Sequence, residues 1–378
     1  MQKIFFIVLI FLFILFISIG IPTLARLKNR VISTTTQVWD GSVATSYKSG
    51  IGTANDPYII SNGSELAYFS SQLLYNDYEN VYFKLNNNIL LNSGTFDYDE
   101  TNGIQYILNG QTYYVDYYTN NYYDNIERTG TQTGTINNFN PLDGFKGYFN
   151  GNSYRIYGLY ITDDTSDNLA LFTNLKGDVE DLYVENTVVY GGRYTAGISS
   201  NTENASLNNI LFNGYVIGKN NNITKNISVT PTISTIQLQS SPKTDYMNLS
   251  NNIPFVGSEI ISTSITGNYT LTNATDSNTV IKINGITITG GSFNINLGTS
   301  ILDSLTVVTS TTSKKTSTLT FTNLQYNISY KYAVSSGIVA SSNNTIINNT
   351  INKGYIYGYS SSGGLVGVNT NTLNINNS

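Results

Sequence analysis

Short runs in which apolar and polar residues alternate fill most of the chain after its first forty positions. In the run RIYGLYI the apolar residues are Ile156, Leu159 and Ile161, and in NNILFNGYVI they include Ile210 and Phe212. Gly and Asn residues separate the runs. A period of two between turn-forming residues is typical of strands rather than helices. The pattern therefore predicts an all-β protein.

Four of these runs align with one another and indicate an internal repeat. Their aligned small residues are Ala170, Gly197, Gly337 and Gly364, in NLALFTNL, TAGISSNT, SSGIVASS and GGLVGVNT. Positions 170 and 197 differ by 27, as do positions 337 and 364, whereas positions 197 and 337 differ by 140. The motifs GYVIG and GYIYG, which begin at positions 214 and 354, also differ by 140. A period of 27 is thus interrupted once, by the segment 219–331.

About three strands in one such period is the content of one coil of a right-handed parallel β-helix. One coil cannot bury its apolar side alone, so neighbouring coils must stack. Stacked coils lie ~4.8 Å apart, and Asn residues at matching turns can then form amide ladders. We expect Gly197, Gly337 and Gly364 to stack at one corner, where a side chain would collide or where φ is positive. The alternative is a β-sandwich with accidental periodicity.

The repeat divides the chain after the N-terminal region into three predicted parts. Residues 39–218 form the first stretch of β-helix, residues 219–331 an inserted domain, and residues 332–378 the resumed β-helix. Within the insertion, the segment from Thr279 to Thr322 alternates with period two and contains Asn-Gly and Gly-Gly turns. We expect a β-sandwich whose ends lie close together. Nothing in the sequence covers the final coil, which predicts an incomplete chain or end-to-end self-association through that coil.

Two segments depart from the repeat. SELAYFSSQLLY, residues 64–75, predicts a helix with Ser64 as its N-cap, and we expect this helix to cap the first coil. Residues 93–140 contain seven Tyr between Tyr106 and Tyr123, and LNGQ within them predicts a hairpin turn. Two interpretations stay open for this Tyr-rich excursion. Its exposed rings contact glycans or a protein partner, or they cover the side of the β-helix.

An apolar segment near the N-terminus runs from residue 4 to residue 21, after Lys3. Thr23-Leu24-Ala25 is an acceptable signal-peptidase site, and the segment is just long enough to span a bilayer. Residues 1–25 are therefore predicted to be a cleaved signal peptide or a retained membrane-anchor helix, and residues 26–38 a linker. Both predictions place the protein as membrane-anchored or secreted, at the surface of a cell or a virion.

Composition excludes several functions. Only 11% of the residues are charged and the net charge is −5, which gives no basic surface for nucleic acid. The chain has no Cys and no His, so disulfides, zinc–thiolate sites, Cys nucleophiles and His-based catalysis are excluded. No cofactor is predicted.

Paired carboxylates are the one candidate for chemistry. Asp163, Asp164 and Asp167 lie in ITDDTSDN, with Arg155 and Lys176 nearby as the basic groups that a lyase would need. A hydrolase needs two carboxyl groups at a controlled separation, and adjacent residues of a strand point to opposite faces. Asp163 and Asp164 could therefore share a site only in a bent loop. We interpret the trio as a solvated turn and predict no catalytic residue.

Two weaker motifs bear on metal binding and glycosylation. DYDETNG, Asp97 to Gly103, has some Ca²⁺-loop character, but its twelfth position is Leu108 instead of an acid, so no metal site is predicted. Glycosylation sequons occur in this Asn-rich chain, and a host that glycosylates exported proteins would make it a glycoprotein. They include Asn204, Asn226, Asn248, Asn268 and Asn343.

The segment FKGYFNGNSYRIYGLYI, together with NLALFTNL, VEDLYVENTVV and GGLVG, resembles the GLUG-motif surface proteins. Their pattern has an F-x-G-x-F-x-G-N-G start, a G-L-F turn, an I-x-N-L strand and a repeated G-G-L-V-G. WDGSVATSYKSGIGTANDPYIISNGSELAYFSSQL is similar to the region that precedes those repeats. The resemblance covers about residues 39–218 and 332–378 and implies an adhesin-like β-helix. The insertion resembles cadherin-like β-sandwich repeats, with KKTSTLTF as a loose match.

Three functions follow as hypotheses. The first is a non-catalytic surface protein for adhesion or attachment, with carbohydrate or a host surface protein as its partner and the membrane contacted through residues 4–21. The second is a polysaccharide lyase or hydrolase of the parallel β-helix type. The third is a structural spacer.

Overall fold

The structure, a computed structural model, describes residues 36–124, 131–218, 225–230, 235–238, 243–248, 258–272, 280–301, 304–310 and 317–378. Of these residues 58% lie in strands and 4% in helix, so the prediction of an all-β protein is confirmed. Within these ranges no helix is long and apolar enough to cross a membrane. The apolar segment at residues 4–21 lies outside them.

Four sheets, numbered I to IV, consist of parallel strands only. Sheet I contains β1 (Tyr58–Ile60), β2 (Tyr82–Leu85), β10 (Tyr148–Asn150), β15 (Asp178–Glu180), β19 (Ser206–Asn208), β32 (Thr345–Asn348) and β37 (Leu373–Asn376), in that spatial order. Sheet II contains β3 (Ile89–Leu90), β11 (Arg155–Tyr157), β12 (Tyr160–Asp163), β16 (Tyr183–Gly191), β20 (Leu211–Gly218), β33 (Ile351–Asn352) and β34 (Tyr355–Gly358). Sheet III contains β13 (Asn168–Leu169), β17 (Tyr194–Ala196), β30 (Val334–Ser336) and β35 (Ser361–Gly363). Sheet IV contains β9 (Leu142–Asp143), β14 (Phe172–Thr173), β18 (Ser199–Glu203), β31 (Val339–Asn343) and β36 (Val366–Asn369).

Strand register confirms the repeat. Thr195 of β17 pairs with Ser335 of β30, and Ser335 pairs with Ser362 of β35, so the register reproduces both spacings that the sequence shows. The period is not uniform, because β16 and β20 pair with an offset of 28 before Asn186 and an offset of 27 after it. Asn186 sits in a β-bulge, which absorbs one extra residue. Neighbouring repeats therefore pair in register on both sides of the insertion.

Asparagine forms one corner of the stacked repeats. A residue with φ between 49° and 54° follows each of the five strands β10, β15, β19, β32 and β37, namely Asn152, Asp181, Asn209, Asn349 and Asn377. Asn and Asp tolerate this left-handed region best among non-Gly residues. The amide of Asn349 donates to Asn208 at 3.1 Å, and that of Asn376 donates to Asn348 at 2.9 Å. The predicted amide ladders are therefore present.

The three glycines that mark the repeat differ in their surroundings, and none has positive φ. A Cβ on Gly197 would overlap the ring of Phe212 and lie 2.5 Å from the carbonyl oxygen of Gly337. A Cβ on Gly337 would lie 2.5 Å from Oδ1 of Asn352, whereas on Gly364 the nearest atom would be 3.9 Å away. The predicted collision is confirmed at the first two positions and wrong at Gly364.

Helix α1 spans Gly63–Leu73, so the predicted range of 64–75 is shifted. The prediction that Ser64 is its N-cap is wrong, because Asn62 accepts the backbone N–H of Glu65 at 2.9 Å. The Glu65 carboxylate in turn accepts the backbone N–H of Ser61 at 2.6 Å. This capping box satisfies two N–H groups at once and fixes where the helix begins.

The helix packs on the apolar interior beside the first strands. Its Phe69 stacks on Phe83 of β2 with ring centroids 4.2 Å apart, and meets Phe145 edge-on at 5.3 Å. All three rings are buried in one apolar core with the inward residues of sheets I, II and IV. The role of this helix as a cap of the first coil stays a prediction.

The Tyr-rich excursion forms sheet V, which is antiparallel. Its strands are β4 (Thr95–Asp99), β5 (Gly103–Leu108), β6 (Gln111–Asp116), β7 (Asn121–Tyr123) and β8 (Gln132–Thr135). The predicted hairpin turn is confirmed, since Asn109 and Gly110 join β5 and β6 with φ of 54° and 78°. The bulge residue Asn186 fastens this sheet to sheet II, because its side chain accepts from Phe96 N and donates to Gly94 O.

The inserted segment forms two antiparallel sheets. Sheet VI contains β21 (Lys225–Val229), β22 (Thr235–Leu238), β24 (Glu259–Thr272), β27 (Ser292–Gly298) and β29 (Ser317–Lys331). Sheet VII contains β23 (Lys243–Asn248), β25 (Val280–Ile283), β26 (Ile286–Ile288) and β28 (Ser304–Ser310). A Cβ on Gly218 would lie 3.6 Å from that of Ala333, so the chain leaves and re-enters sheets I–IV at one place, as expected.

The core of sheets VI and VII is not isolated from the parallel sheets. Four buried residues of sheets III and IV or the turns beside them belong to the same apolar cluster, namely Ala170, Ala196, Val334 and Ala340. The insertion therefore packs directly on the repeats. Its ability to fold as a separate domain stays a prediction.

Candidate functional site

A polar cleft of about 550 Å³ lies between sheet V and the loop that joins β12 to β13. We call it the Tyr118 cleft, and its principal groups are Tyr118, Asn138, Asp143, Thr162 and Asp164. The volume falls within the range of small-molecule sites. The cleft contains all three acids that the sequence singled out, together with one ring of the Tyr-rich excursion.

Tyr118 belongs to the turn between β6 and β7. Asp116 holds this turn, because its carboxylate accepts the backbone N–H groups of Tyr118 and Thr119 at 3.1 and 3.2 Å. The buried hydroxyl of Tyr160 donates to the carbonyl of Tyr117 at 3.1 Å and fastens the turn to sheet II. The ring of Tyr118 is 49% exposed, so a fixed backbone presents an open aromatic surface.

The Tyr-rich excursion covers part of sheet II, and contact of its exposed rings with a glycan or a protein stays a prediction. Tyr106 and Tyr122 are buried against sheet II, as a covering layer would be. Tyr117 also stacks on Tyr190 of sheet II, with ring centroids 4.0 Å apart. Tyr118 next to it stays exposed in the cleft.

The chain bends directly after Asp163, so Asp163 and Asp164 do line the same cleft. The Asp163 carboxylate accepts four hydrogen bonds, from the backbone and hydroxyl groups of Thr165 and Ser166 at 2.7 to 3.3 Å. Burial opposes its ionisation, but these bonds outweigh burial and lower the pKa of Asp163. Asp163 therefore shapes the loop, whereas Asp164 is exposed to solvent.

Asp167 is held by a buried cation. Arg193 has no exposed surface, and its Nη1 lies 2.9 Å from Oδ2 of Asp167. The guanidinium also lies over the ring of Tyr332, 4.9 Å from its centroid. Since Tyr332 follows β29, this ion pair joins the cleft loop to the segment through which the insertion returns.

Thr162 lines the cleft, but its hydroxyl is buried. Its side chain is 6% exposed, and Oγ1 has no hydrogen-bond partner among the described residues. Asn138 clamps the backbone of Thr162 by accepting its N–H at 3.1 Å and donating to its carbonyl at 2.9 Å. An unsatisfied buried hydroxyl costs about 1–3 kcal/mol, and this one has no surface open to the cleft.

Asp143 of β9 also lines the cleft. Its Oδ1 accepts the hydroxyl of Thr173 and the amide of Asn174, both at 2.8 Å. These bonds fix one carboxylate oxygen and leave acceptor capacity on the other. The cleft thus contains an oriented acceptor and an aromatic ring.

Other residues that the sequence pattern indicated lie elsewhere. Arg155 pairs with Glu185 at 2.7 Å and Lys176 with Glu203 at 2.6 Å, and neither lines the cleft. The DYDETNG segment is the turn between β4 and β5, where Asp99 accepts backbone N–H groups. Within the described ranges no group of three acids could hold a metal ion.

The sequence pattern indicated the three acids and the Tyr-rich excursion as a whole, but it did not single out Tyr118. It also did not indicate Thr162, Asn138 or Asp143. The accessible groups of the cleft are an exposed ring, amides and carboxylates, which can contact a ligand that carries hydroxyl groups. Aromatic rings attract the C–H face of a sugar, and the polar groups accept or donate to its hydroxyls.

Comparison with known proteins gave no matching family model, no similar curated protein and no similar solved structure.

Proposed function

We propose that this is a non-catalytic, exported surface protein that attaches to carbohydrate through the Tyr118 cleft. The parallel, in-register pairing of successive repeats supports a right-handed β-helix as the architecture of sheets I–IV. The shared core of sheets VI and VII supports a β-sandwich for the insertion. The GLUG-type motifs and the apolar segment at residues 4–21 support a place at a cell or virion surface.

One observation supports the proposed class of ligand. The half-exposed ring of Tyr118 lines a preformed cleft together with the carboxyl groups of Asp143 and Asp164 and the amide of Asn138. A hydroxyl-rich ligand accounts for the ring and for the surrounding carboxylates and amides together.

The enzyme hypothesis finds less support in this cleft. A glycoside hydrolase needs one carboxyl group that stays protonated beside one that is ionised. Asp163 has a lowered pKa and is consumed by hydrogen bonds, and Asp167 is paired with Arg193. Four carboxyl groups line the cleft, and two of them, those of Asp163 and Asp167, therefore already bind groups of the protein itself.

The test is a glycan array probed with the full 378-residue chain in mild detergent. We expect binding to a defined set of saccharides, and Tyr118→Ala should weaken it at least tenfold. Tyr75→Ala is the matched control, because Tyr75 is 81% exposed and lies outside the cleft.

Three outcomes would overturn the proposal. The first is the absence of any bound saccharide, which would favour the spacer hypothesis. The second is an equal loss in Tyr118→Ala and Tyr75→Ala. The third is the release of reducing ends or unsaturated products from uronic-acid polymers, with or without Ca²⁺, which would establish a polysaccharide-acting enzyme.

A further inference from the structure

The outer face of sheet I carries two columns of side chains, because its strands pair in register. One column follows the first residues of the strands and contains Tyr82, Tyr148, Asp178, Ser206 and Ile346. The other lies two residues further along each strand and contains Lys84, Asn150, Glu180, Asn208 and Asn348. Each column advances by ~4.8 Å per strand.

In the first column, large side chains are followed by small ones. Tyr82 and Tyr148 stack with ring centroids 4.4 Å apart and an interplanar angle of 11°. Because Tyr82 covers one face of the Tyr148 ring, the other face turns toward β15, where the shorter Asp178 and then Ser206 follow. A trough of about 540 Å³, which we call the sheet I trough, runs over this step, and its lining reaches Asn348 on β32.

From Asn150 on β10 to Asn348 on β32 the trough spans three strand steps, or ~14 Å. It shares no lining residue with the Tyr118 cleft. A ring stacked on the free face of Tyr148 would stand over Asp178. Beyond Asp178, the lining continues with Ser206 and Asn208 as far as Asn348 on β32.

The floor of the trough is polar and acidic. Burial raises the pKa of Asp178, against a smaller opposite effect of the Ser206 backbone, and none of the ion pairs in the described ranges includes Asp178. Glu180 accepts the amide of Asn150 at 2.6 Å, which fixes both groups beside the trough. Lys84 of β2 also lines the trough, so its charged groups are two carboxylates and one cation. The excess negative charge disfavours an anionic ligand, and the carboxylates accept hydrogen bonds from hydroxyls.

We propose that the sheet I trough is a second binding site, for an uncharged linear oligosaccharide whose terminal or internal ring stacks on Tyr148. Aromatic contact with one ring, hydrogen bonds to Asp178, Glu180 and Asn208, and the ~14 Å length define a site for two or three units. Together with the Tyr118 cleft it would give the protein two points of attachment.

The experiment measures binding of a length series by isothermal titration with the full chain. The probes are uncharged linear oligosaccharides of one to six units (β-1,4-linked glucose, mannose, xylose and N-acetylglucosamine), with oligogalacturonides of equal length as the anionic counterpart. For at least one uncharged series, affinity should rise tenfold or more up to three units and then stay level. Oligogalacturonides should bind at least tenfold more weakly.

Variants separate this site from the cleft. Tyr148→Ala and Asp178→Ala should abolish the length dependence, whereas Tyr118→Ala and the control Tyr75→Ala should leave it unchanged. Loss of binding in Tyr118→Ala alone would overturn this inference and leave the proposed function intact. Binding that is independent of length, preference for the anionic series, or no binding of any series would also overturn it.

Discussion

Replacing Gly197 with Ala adds a methyl group where the chain of one repeat crosses the next. That methyl would overlap the Phe212 ring and approach the Gly337 carbonyl to 2.5 Å, and backbone cannot move away as a flexible side chain can. Overpacking of this kind costs about 1–3 kcal/mol. Ala also gains about 0.4–1 kcal/mol by restricting the unfolded chain, so we expect a net loss of about 1–2 kcal/mol.

The equivalent glycines of the next repeats provide graded controls. At Gly337 the added methyl meets the terminal amide of Asn352, which can rotate but would then give up its bond to the Gly354 N–H, worth about 1 kcal/mol. We expect Gly337→Ala to be close to neutral. At Gly364 the nearest atom is 3.9 Å away, so Gly364→Ala should stabilise by about 0.5 kcal/mol.

The assay is thermal unfolding of the three variants and the wild-type chain, where 1 kcal/mol corresponds to about 2 °C for a chain of this size. The expected order of Tm is Gly364→Ala highest, then Gly337→Ala, then Gly197→Ala. Ser342 would be a poor reference, because it is fully buried and donates to Asn369. An equal loss at Gly197 and Gly364, or a gain at Gly197, would refute the reasoning from close approach.

Three further changes test other parts of the structure. Thr162→Val should raise the free energy of unfolding by about 1 kcal/mol, measured by urea titration, because it removes an unsatisfied buried hydroxyl; a loss would mean that Oγ1 has a partner in the free protein. Asp178→Asn should raise Tm near pH 7, because a carboxyl group with a raised native pKa stabilises the fold less as pH rises through that pKa, and the gain should vanish below the ordinary pKa of 3.8; a gain that persists at pH 3 would contradict this. Arg193→Met should lower the free energy of unfolding, measured by denaturant titration, by about 3 kcal/mol. This is the low end for a broken buried ion pair, because Asp167 stays 35% exposed. A loss under about 1 kcal/mol would mean that the Arg193–Asp167 pair does not hold the loop.

The repeat was readable from sequence because stacking imposes it. Strands that pair in register must carry equivalent residues at equal spacing, so the small residues at 197, 337 and 364 reveal the alignment even across the insertion. The one-residue change of offset between β16 and β20 was not readable, because it depends on the bulge at Asn186. That bulge is held by hydrogen bonds to Phe96 and Gly94, which lie far earlier in the chain.

The candidate site was predictable only in part. Asp163 and Asp164 could be identified as candidates from the sequence, because acidic residues are few in this chain and these two are adjacent. Nothing local marks Tyr118 among its neighbouring tyrosines, since its exposure depends on where the turn meets sheet II. The unsatisfied hydroxyl of Thr162 is likewise a property of packing, and no residue pattern distinguishes it from the many other Thr residues.

The pairing of Thr195 with Ser335 also constrains the order in which the molecule assembles. If the stretch between these two residues were still unfolded, closing it would cost about 1.5 kcal/mol more than closing a single repeat, roughly a tenfold slower encounter. Once sheets VI and VII have formed, however, Gly218 and Ala333 already lie side by side. The folded antiparallel sheets therefore hold together two repeats that are far apart in sequence, so the cost of closing a long loop has already been met. The last repeats should therefore acquire protection from hydrogen exchange only after the insertion has folded.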